Sequence, residues 1–279
     1  MKITPSVATA RGECGRAARR SALEEHDVVE PTPGDLLKES SSPTGEARVP
    51  RLQARPTRTP GATQEPGLTV VYLARHGQTE SNLLRRYTGY SPEPLTAAGR
   101  GQIGGLAAQL GLAGIAEIWT SEVTRARESA ELVGSVLSIP VRADARLNEM
   151  RMGPWEGLTE DQVAARFPEA SALWCTLPDR VKIEGRETLD TLATRVTAAV
   201  QDAVRQPHAV LLMTHVAPMR VAVLSALGLP LRLYKRVHVA NADCVQVDQL
   251  RGEVYRLGEG QSLRQRLTLS LGGPESSVA

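Results

Sequence analysis

The chain has 279 residues, an apolar fraction of 41% and a formal net charge of +2, enough for one large domain or two small ones with a sizeable core. A charge so close to balance carries no electrostatic footprint for nucleic acid or an anionic membrane surface. No apolar run reaches the ~18 residues of a transmembrane helix, and Cys14, Cys175 and Cys244, far apart and in no CxxC spacing, suggest unpaired thiols in a cytoplasmic, reducing compartment rather than a disulfide framework or a zinc site.

Residues 1–67 mix Pro, Thr, Ser, Gly, Arg and Glu with isolated apolar residues in no sustained period, and are expected to form a disordered N-terminal extension. Its Arg-rich start, "MKITPSVATARGECGRAARRSA", lacks the apolar stretch of a secretory signal, and acidic residues follow too soon for a transit peptide, so it reads as a plain tail or an overlong start. From Leu68 the pattern tightens into a domain expected to span 68–260. "LTVVYLA" (68–74) is a short, nearly continuous apolar run, as in a strand buried on both faces of a parallel sheet. Thr96 can cap a helix through Leu110 with Ile103, Leu106, Ala107 and Leu110 on one stripe. This helix would contain "GRGQIG" (99–104), a literal GxGxxG without the preceding strand that a dinucleotide fingerprint requires. "IAEIWT" (115–120) is a weaker strand, followed by a helix that Ser121 can cap, carrying Val123, Ala126, Ala130, Val133 and Leu137. Leu189, Leu192, Val196, Val200 and Val204 repeat at helical spacing, "AVLLMT" (209–214) is another buried strand, and "RVHVANADCVQVDQLRGEVYRL" reads as strands around an Arg-Gly turn. Residues 261–279 read as a flexible C-terminal tail. Strands alternating with helices predict an α/β fold, a three-layer open, mostly parallel sheet with helices on both faces.

Ligands of such sheets bind outside the carboxyl ends of the strands. There the first strand delivers Arg75 and His76, the strand at 209–214 delivers His215, the helix after 120 carries Arg125 early, and "VRADARLNEM" brings Glu149. Two arginines offer planar forks suited to phosphoryl oxygens, and helix N-termini after the strands add backbone donors. A neutral imidazole is a competent nucleophile toward phosphorus, and it divides a difficult hydrolysis into two steps. Glu149 beside the bound dianion would have its pKa raised, donate a proton to the leaving oxygen, and then act as base for water. With no HExxH, carboxylate-rich loop or paired Cys/His cluster in the sequence, neither metal nor cofactor is expected. His26, His208 and His238 have no such company and read as surface or satisfied core residues, and Trp155 as packing with a share in the pocket wall.

"LARHGQTESN" (73–82) resembles the signature of the histidine phosphatase superfamily, the phosphoglycerate mutase-like family, and matches it at every constrained position. The resemblance continues in the same order through "PLTAAGRGQ", "SEVTRARESAELV", "LNEMRMGPWEGLTEDQV" and "VLLMTHVAPMRVAVLSALG", covering about Leu68 to Val247. It implies His76 as the phosphorylated nucleophile, Arg75, Arg125 and His215 as the phosphoryl clamp, Glu149 as proton donor and Asn82 as a further phosphate contact. Three departures stand out: Val216 where the family usually has Gly after its second histidine, Pro92 where many relatives have Asp, and Arg186, in "GRET", for a glycine near the expected pocket mouth. Arg186, with Lys182 and Arg180, reads either as a solvated charge cluster or as a contact for a second anion of the substrate. "GPWEG" is similar to the phosphatase branch, which implies a phosphomonoesterase acting on a small phosphorylated metabolite, of sugar-phosphate or ribazole-phosphate type, or a phosphoglycerate conjugate. The alternatives are mutase-type phosphoryl transfer and a catalytically silent relative that binds phosphorylated ligands. The expected partner is the small phosphomonoester alone, with neither nucleic acid nor membrane, and the sequence does not fix the oligomeric state. The cap between Trp155 and Glu187 sets the substrate, and its shape is not legible in the sequence.

Overall fold

Short apolar runs become the centre of a sheet in the computed structural model, which describes residues 70–248, 251–259 and 261–269. The expected extension 1–67, with Cys14 and His26, lies outside the described residues. The strands are β1 (Val71–Arg75), β2 (Ile115–Thr120), β3 (Val141–Ala143), β4 (Ala209–Thr214), β5 (Cys244–Asp248) and β6 (Glu253–Arg256). They line up as β3-β2-β4-β1-β5-β6. β1, β2, β3 and β4 are mutually parallel, while β5 and β6 run antiparallel to their neighbours. β1 and β4 sit in the middle, paired from Val71 with Val210 to Arg75 with Thr214, so their continuous apolar character follows from burial on both faces.

Side-chain alternation along these strands feeds two cores. Val71, Leu73, Val210 and Leu212 face one layer, while Tyr72, Ala74, Leu211 and Met213 face the other. Helices α2 (Ala97–Leu110) and α3 (Thr124–Leu137), which follow the short α1 (Glu80–Leu83), cover the second face through Ile103, Leu106, Ala126 and Val133. The first face is covered by α6 (Leu189–Val204) and α7 (Val216–Ala226). Between the faces' helices in chain order lie α4 (Glu160–Arg166) and α5 (Pro168–Thr176), which lead into the segment that carries Arg186.

Three expectations are corrected. Ser121 does not cap α3: Val123 is the N-cap and supplies no side-chain cap, because the Ser121 hydroxyl turns to other partners near the sheet edge. The tail expected from residue 261 instead opens with α8 (Leu263–Leu269), whose Leu263 and Leu267 are buried in the first core and whose Arg264 donates to the Leu227 and Gly252 carbonyls. "GRGQIG" lies wholly within α2, capped by Thr96, and forms no phosphate loop. Cys244 is free and buried, whereas Cys175 is disulfide-bonded, against the expectation of unpaired thiols.

The turn after β1 passes so close to α2 that two glycines are required. A Cβ on Gly77 would lie 2.4 Å from the Gly99 carbonyl oxygen, and a Cβ on Gly99 would lie 2.2 Å from that of Gln78. Gly77→Ala is therefore expected to destabilise the fold by about 1–3 kcal/mol through overpacking against backbone. Urea unfolding checks this, and a midpoint equal to wild type would show that the turn relaxes freely.

Candidate active site

β1 ends at Arg75, but the ladder carries one residue further: the His76 amide donates to the Thr214 carbonyl at 3.0 Å. On the other side the His76 carbonyl accepts from the Ala242 amide at 3.2 Å and from Asn241 Nδ2 at 3.3 Å. With the backbone held on both sides, the ring's own bonds decide its state. Nδ1 lies 2.7 Å from the Gly77 carbonyl, which only accepts, so Nδ1 carries the hydrogen. Nε2 is then a bare lone pair, and it accepts from Arg125 Nε at 3.2 Å. Burial, followed by the Arg125 and Arg75 charges, pushes the imidazole well below the ordinary histidine range and keeps it neutral.

His215 caps α7 from the end of β4, beside His76, with ring centroids 5.0 Å apart and planes at 61°. Its Nε2 lies 2.8 Å from Ser121 Oγ. That hydroxyl donates to Asn148 Oδ1 at 2.9 Å and accepts from the Val123 amide. Asn148 cannot be turned over, since Oδ1 also accepts from the Glu122 amide and Nδ2 donates to Glu122 Oε2. Ser121 has one proton, already given away, so His215 Nε2 must donate to it. Nδ1 of His215 is left buried, without a hydrogen and without a partner among the described residues. Burial, followed by the charge of Arg125, the neighbouring His76 ring, and the charges of Arg75 and Arg195, also pushes this ring well below the ordinary range.

A cavity of about 300 Å³ opens at this edge, lined by Arg75, His76, Asn82, Arg125, Glu149 and Val216 among others. Arg75 spends Nη1 on the Val239 carbonyl and keeps a buried Nε without a partner. Burial pulls its pKa down to about 10, so it stays charged. Arg125 is buried and donates Nη2 to the Thr88 and Gly89 carbonyls. Glu149 is also buried, and desolvation pushes its carboxyl above the usual carboxylate range, although Arg125, the Met150 amide, Arg75 and the Ala217 amide pull the other way. Asn82 Oδ1 accepts from the Thr79 amide and from Asn241 Nδ2. Its own amide hydrogens therefore remain for the cavity that it lines.

Other residues hold these groups and carried no signal in the sequence reading. Arg195 on α6 donates to the carbonyls of Arg146, Asn148 and Glu149, so it pins the segment that presents Glu149. Glu156 accepts from the Gly89 amide and the Ser91 hydroxyl, steadying the loop whose carbonyls hold Arg125. Glu156 lies inside the quoted "GPWEG", so its position was visible and its role was not. Arg85, Arg86, Tyr87 and Asn241 also line the cavity. Val216 does not disturb α7, which starts directly after His215. Trp155 is fully buried in the core, a packing residue outside the cavity lining. His208 is half-buried beside Glu117 and His238 is exposed, both away from this edge.

Arg186 is the exception among the expected site residues. Arg180 and Lys182 are exposed, as in a solvated cluster, but Arg186 is only 6% exposed and is stacked between Trp155 and Trp174. It borders a second cavity and not the one that holds His76. The indoles offer its long stem and planar head a better surface than water does.

The family model described as "Histidine phosphatase superfamily (branch 1)" matches residues 71–257. A relative from Klebsiella pneumoniae, described as "Probable phosphoglycerate mutase GpmB", is 33% identical over 185 residues, covering 64% of this chain and 84% of its own length. Among solved structures, Bacillus stearothermophilus YhfR superposes with a TM-score of 0.62 at 30% identity, covering 69% of this chain and 97% of that one. A mycobacterial glucosyl-3-phosphoglycerate phosphatase in complex with VO3 gives a TM-score of 0.59 at 28% identity, covering 64% and 90%.

The hydrogen bonds require opposite tautomers in the two adjacent rings. In ¹⁵N-labelled protein near neutral pH, His76 is expected to be protonated on Nδ1 and His215 on Nε2. Long-range ¹H–¹⁵N correlation spectra read this directly, and the same tautomer at both positions would contradict the network through Ser121 and Asn148.

Proposed function

The chain belongs to the histidine phosphatase superfamily, and from that premise we propose that it is a phosphomonoesterase that hydrolyses a small phosphorylated metabolite through a phosphohistidine intermediate. The observation that carries this reading is the opposed shift of two groups on one cavity: a neutral His76 whose Nδ1 holds the hydrogen and whose Nε2 keeps its lone pair, and a Glu149 carboxyl that burial pushes toward its protonated form. Environments that push two titratable groups apart in this way divide nucleophile from acid.

In the first step His76 Nε2 attacks phosphorus and the bond from phosphorus to the ester oxygen breaks. The Glu149 proton passes to that oxygen, so an alcohol leaves rather than an alkoxide. The Arg125 Nε–H that rests on His76 Nε2 moves to a phosphoryl oxygen, joined by Arg75 Nε and the Asn82 amide. If His215 joins the clamp it does so through Nδ1, its only uncommitted ring nitrogen, and it must take up a proton to donate. In the second step the Glu149 carboxylate takes a proton from water, the oxygen attacks phosphorus, and the bond to Nε2 breaks to release inorganic phosphate. The protein groups named here supply nucleophile, acid, base and charge stabilisation, so the reaction as proposed runs without a metal. The substrate is of the sugar-phosphate or ribazole-phosphate type. A mutase, which would return the phosphoryl to a bound sugar acid, is the second reading, supported by the description of the Klebsiella relative.

Phosphate release from a panel of phosphomonoesters, without added metal, is expected for wild type and lost in His76→Ala. Phosphoryl exchange between phosphoglycerates without release would favour the mutase, and release unchanged in His76→Ala would remove His76 from the chemistry. A pH profile of kcat/KM should fall on the acid side as His76 protonates, below the ordinary histidine range, and on the alkaline side as Glu149 ionises, above the usual carboxylate range. Glu149→Gln should lose the alkaline limb and slow esters with poor leaving groups most, by roughly 10²–10⁴-fold. Equal slowing for good and poor leaving groups would take the acid role away from Glu149.

A further inference from the structure

The second cavity, about 470 Å³, lies across a strap of chain from the first. Met152 lines the first cavity and Arg151 the second, Thr88 the first and Tyr90 the second. The strap packs tightly on its far side: the Glu187 amide donates to the Arg151 carbonyl at 3.0 Å, and a Cβ on Gly153 would lie 2.6 Å from the Gly185 carbonyl carbon.

Three arginines and one carboxylate line this second cavity, and the charges do not cancel. Glu187 is committed to Arg195, with contacts of 2.8 and 2.9 Å, and also accepts from the Arg151 amide. Arg186 has no such partner. Its guanidinium carbon lies 4.5 Å from the Trp155 ring centroid and 4.2 Å from that of Trp174, while Nε and Nη2 are buried with no acceptor among the described residues. Stacking on two indoles favours the cation but leaves the in-plane N–H groups unsatisfied, a costly arrangement for buried donors. Arg151 forms no ion pair among the described residues, and its guanidinium stands over the Tyr90 ring at 5.3 Å. Hydroxyls of Tyr90, Thr188 and Thr191 complete the lining. Two uncompensated guanidinium groups lining one cavity together with hydroxyl-bearing residues are suited to a carboxylate or a second phosphate on a hydroxylated chain.

We propose that Arg186 and Arg151 form an anion subsite for a second acidic group of the substrate, so that the phosphoryl sits at His76 while the distal acid lies across the strap. The proposal rests on the phosphomonoesterase reading for its substrate and narrows it to a phosphorylated, hydroxylated acid. Arg186 is then a specificity residue.

The test is a matched pair of esters, 6-phosphogluconate and sorbitol 6-phosphate, which differ in one terminal carboxylate. Wild type is expected to show a KM about tenfold lower for the acid, the worth of one charge-assisted hydrogen bond. Arg151→Gln, at an exposed position, and Arg186→Gln should each raise that KM toward the sorbitol value while leaving sorbitol 6-phosphate within about twofold, too small a change to count as a lost hydrogen bond. Equal damage to both esters in Arg186→Gln, with no effect of Arg151→Gln, would make Arg186 a structural wedge and overturn the proposal. Loss of the carboxylate advantage in Arg85→Gln instead would also overturn it by placing the acid in the first cavity. Gluconate alone, titrated against tryptophan fluorescence, identifies the source of the anion: quenching without any preference between the esters would mean a free carboxylate and not the substrate's. Binding of the two esters to His76→Ala, read by the same fluorescence, separates the two levels. A carboxylate advantage in binding without turnover in wild type would keep the subsite and remove the hydrolytic reading.

Discussion

The chemistry at the sheet edge depends on one hydrogen bond, from His76 Nδ1 to the carbonyl of the very next residue, at 2.7 Å. It removes one of the two neutral tautomers, so the lone pair is always on Nε2. The bond has this geometry because the Gly77 carbonyl cannot wander. Gly77 is wedged against the first turn of α2, its amide donates to Ser129 Oγ on α3, and Thr96 at the head of α2 donates its amide to Gln78. Two helices on one face of the sheet thus set the protonation pattern of a ring that belongs to a strand end. Sterics at a glycine become proton placement at an imidazole.

The second constraint is charge. Burial first, and then the guanidinium groups of Arg125 and Arg75, push the two imidazoles of His76 and His215 well below the ordinary histidine range. Such burial of cations is tolerable because backbone carbonyls accept from them: Thr88, Gly89 and Ser91 for Arg125, Val239 for Arg75. Glu149 is the carboxyl set among these cations, and desolvation pushes it above the usual carboxylate range, toward its protonated form. An anion bound beside it would push Glu149 further in the same direction by like-charge repulsion.

Much of this was legible in the sequence because the relevant signals are local. The runs at 115–120 and 209–214 match β2 and β4 exactly, and Thr96 caps α2, because continuous burial and capping are written in neighbouring residues. Strand ends also gave the right neighbourhood: His76, His215, Arg125 and Glu149 come from four crossings of the chain and meet at one edge. Ser121 was misread because a serine before a helix has two uses, and the demand of His215, far away in the sequence, outweighs the cap. The helix α8 was missed since its apolar residues are few and its docking depends on carbonyls at Leu227 and Gly252. Arg195 and Asn241 gave no warning at all, as a side chain whose task is to hold distant backbone carries no periodic or motif signal.

Arg186 shows why the cap resists reading from sequence more than the sheet edge does. Its flanking residues are polar, and a charged trio at 180, 182 and 186 is ordinarily a solvated face. The slot that takes it exists only when Trp155, from the turn after Glu149, meets Trp174 on α5, with ring centroids 5.9 Å apart. Trp155 also contacts Tyr87, which lines the first cavity, and Trp174 contacts Tyr234. The aromatic row therefore runs from Tyr87, in the wall of the His76 cavity, to the indoles that stack on Arg186, which lines the second cavity. Residues of the row and the strap can vary without touching the hydrogen bonds that set the tautomers of His76 and His215. The fold thereby separates the setting of Arg186 from the hydrogen bonds at the sheet edge.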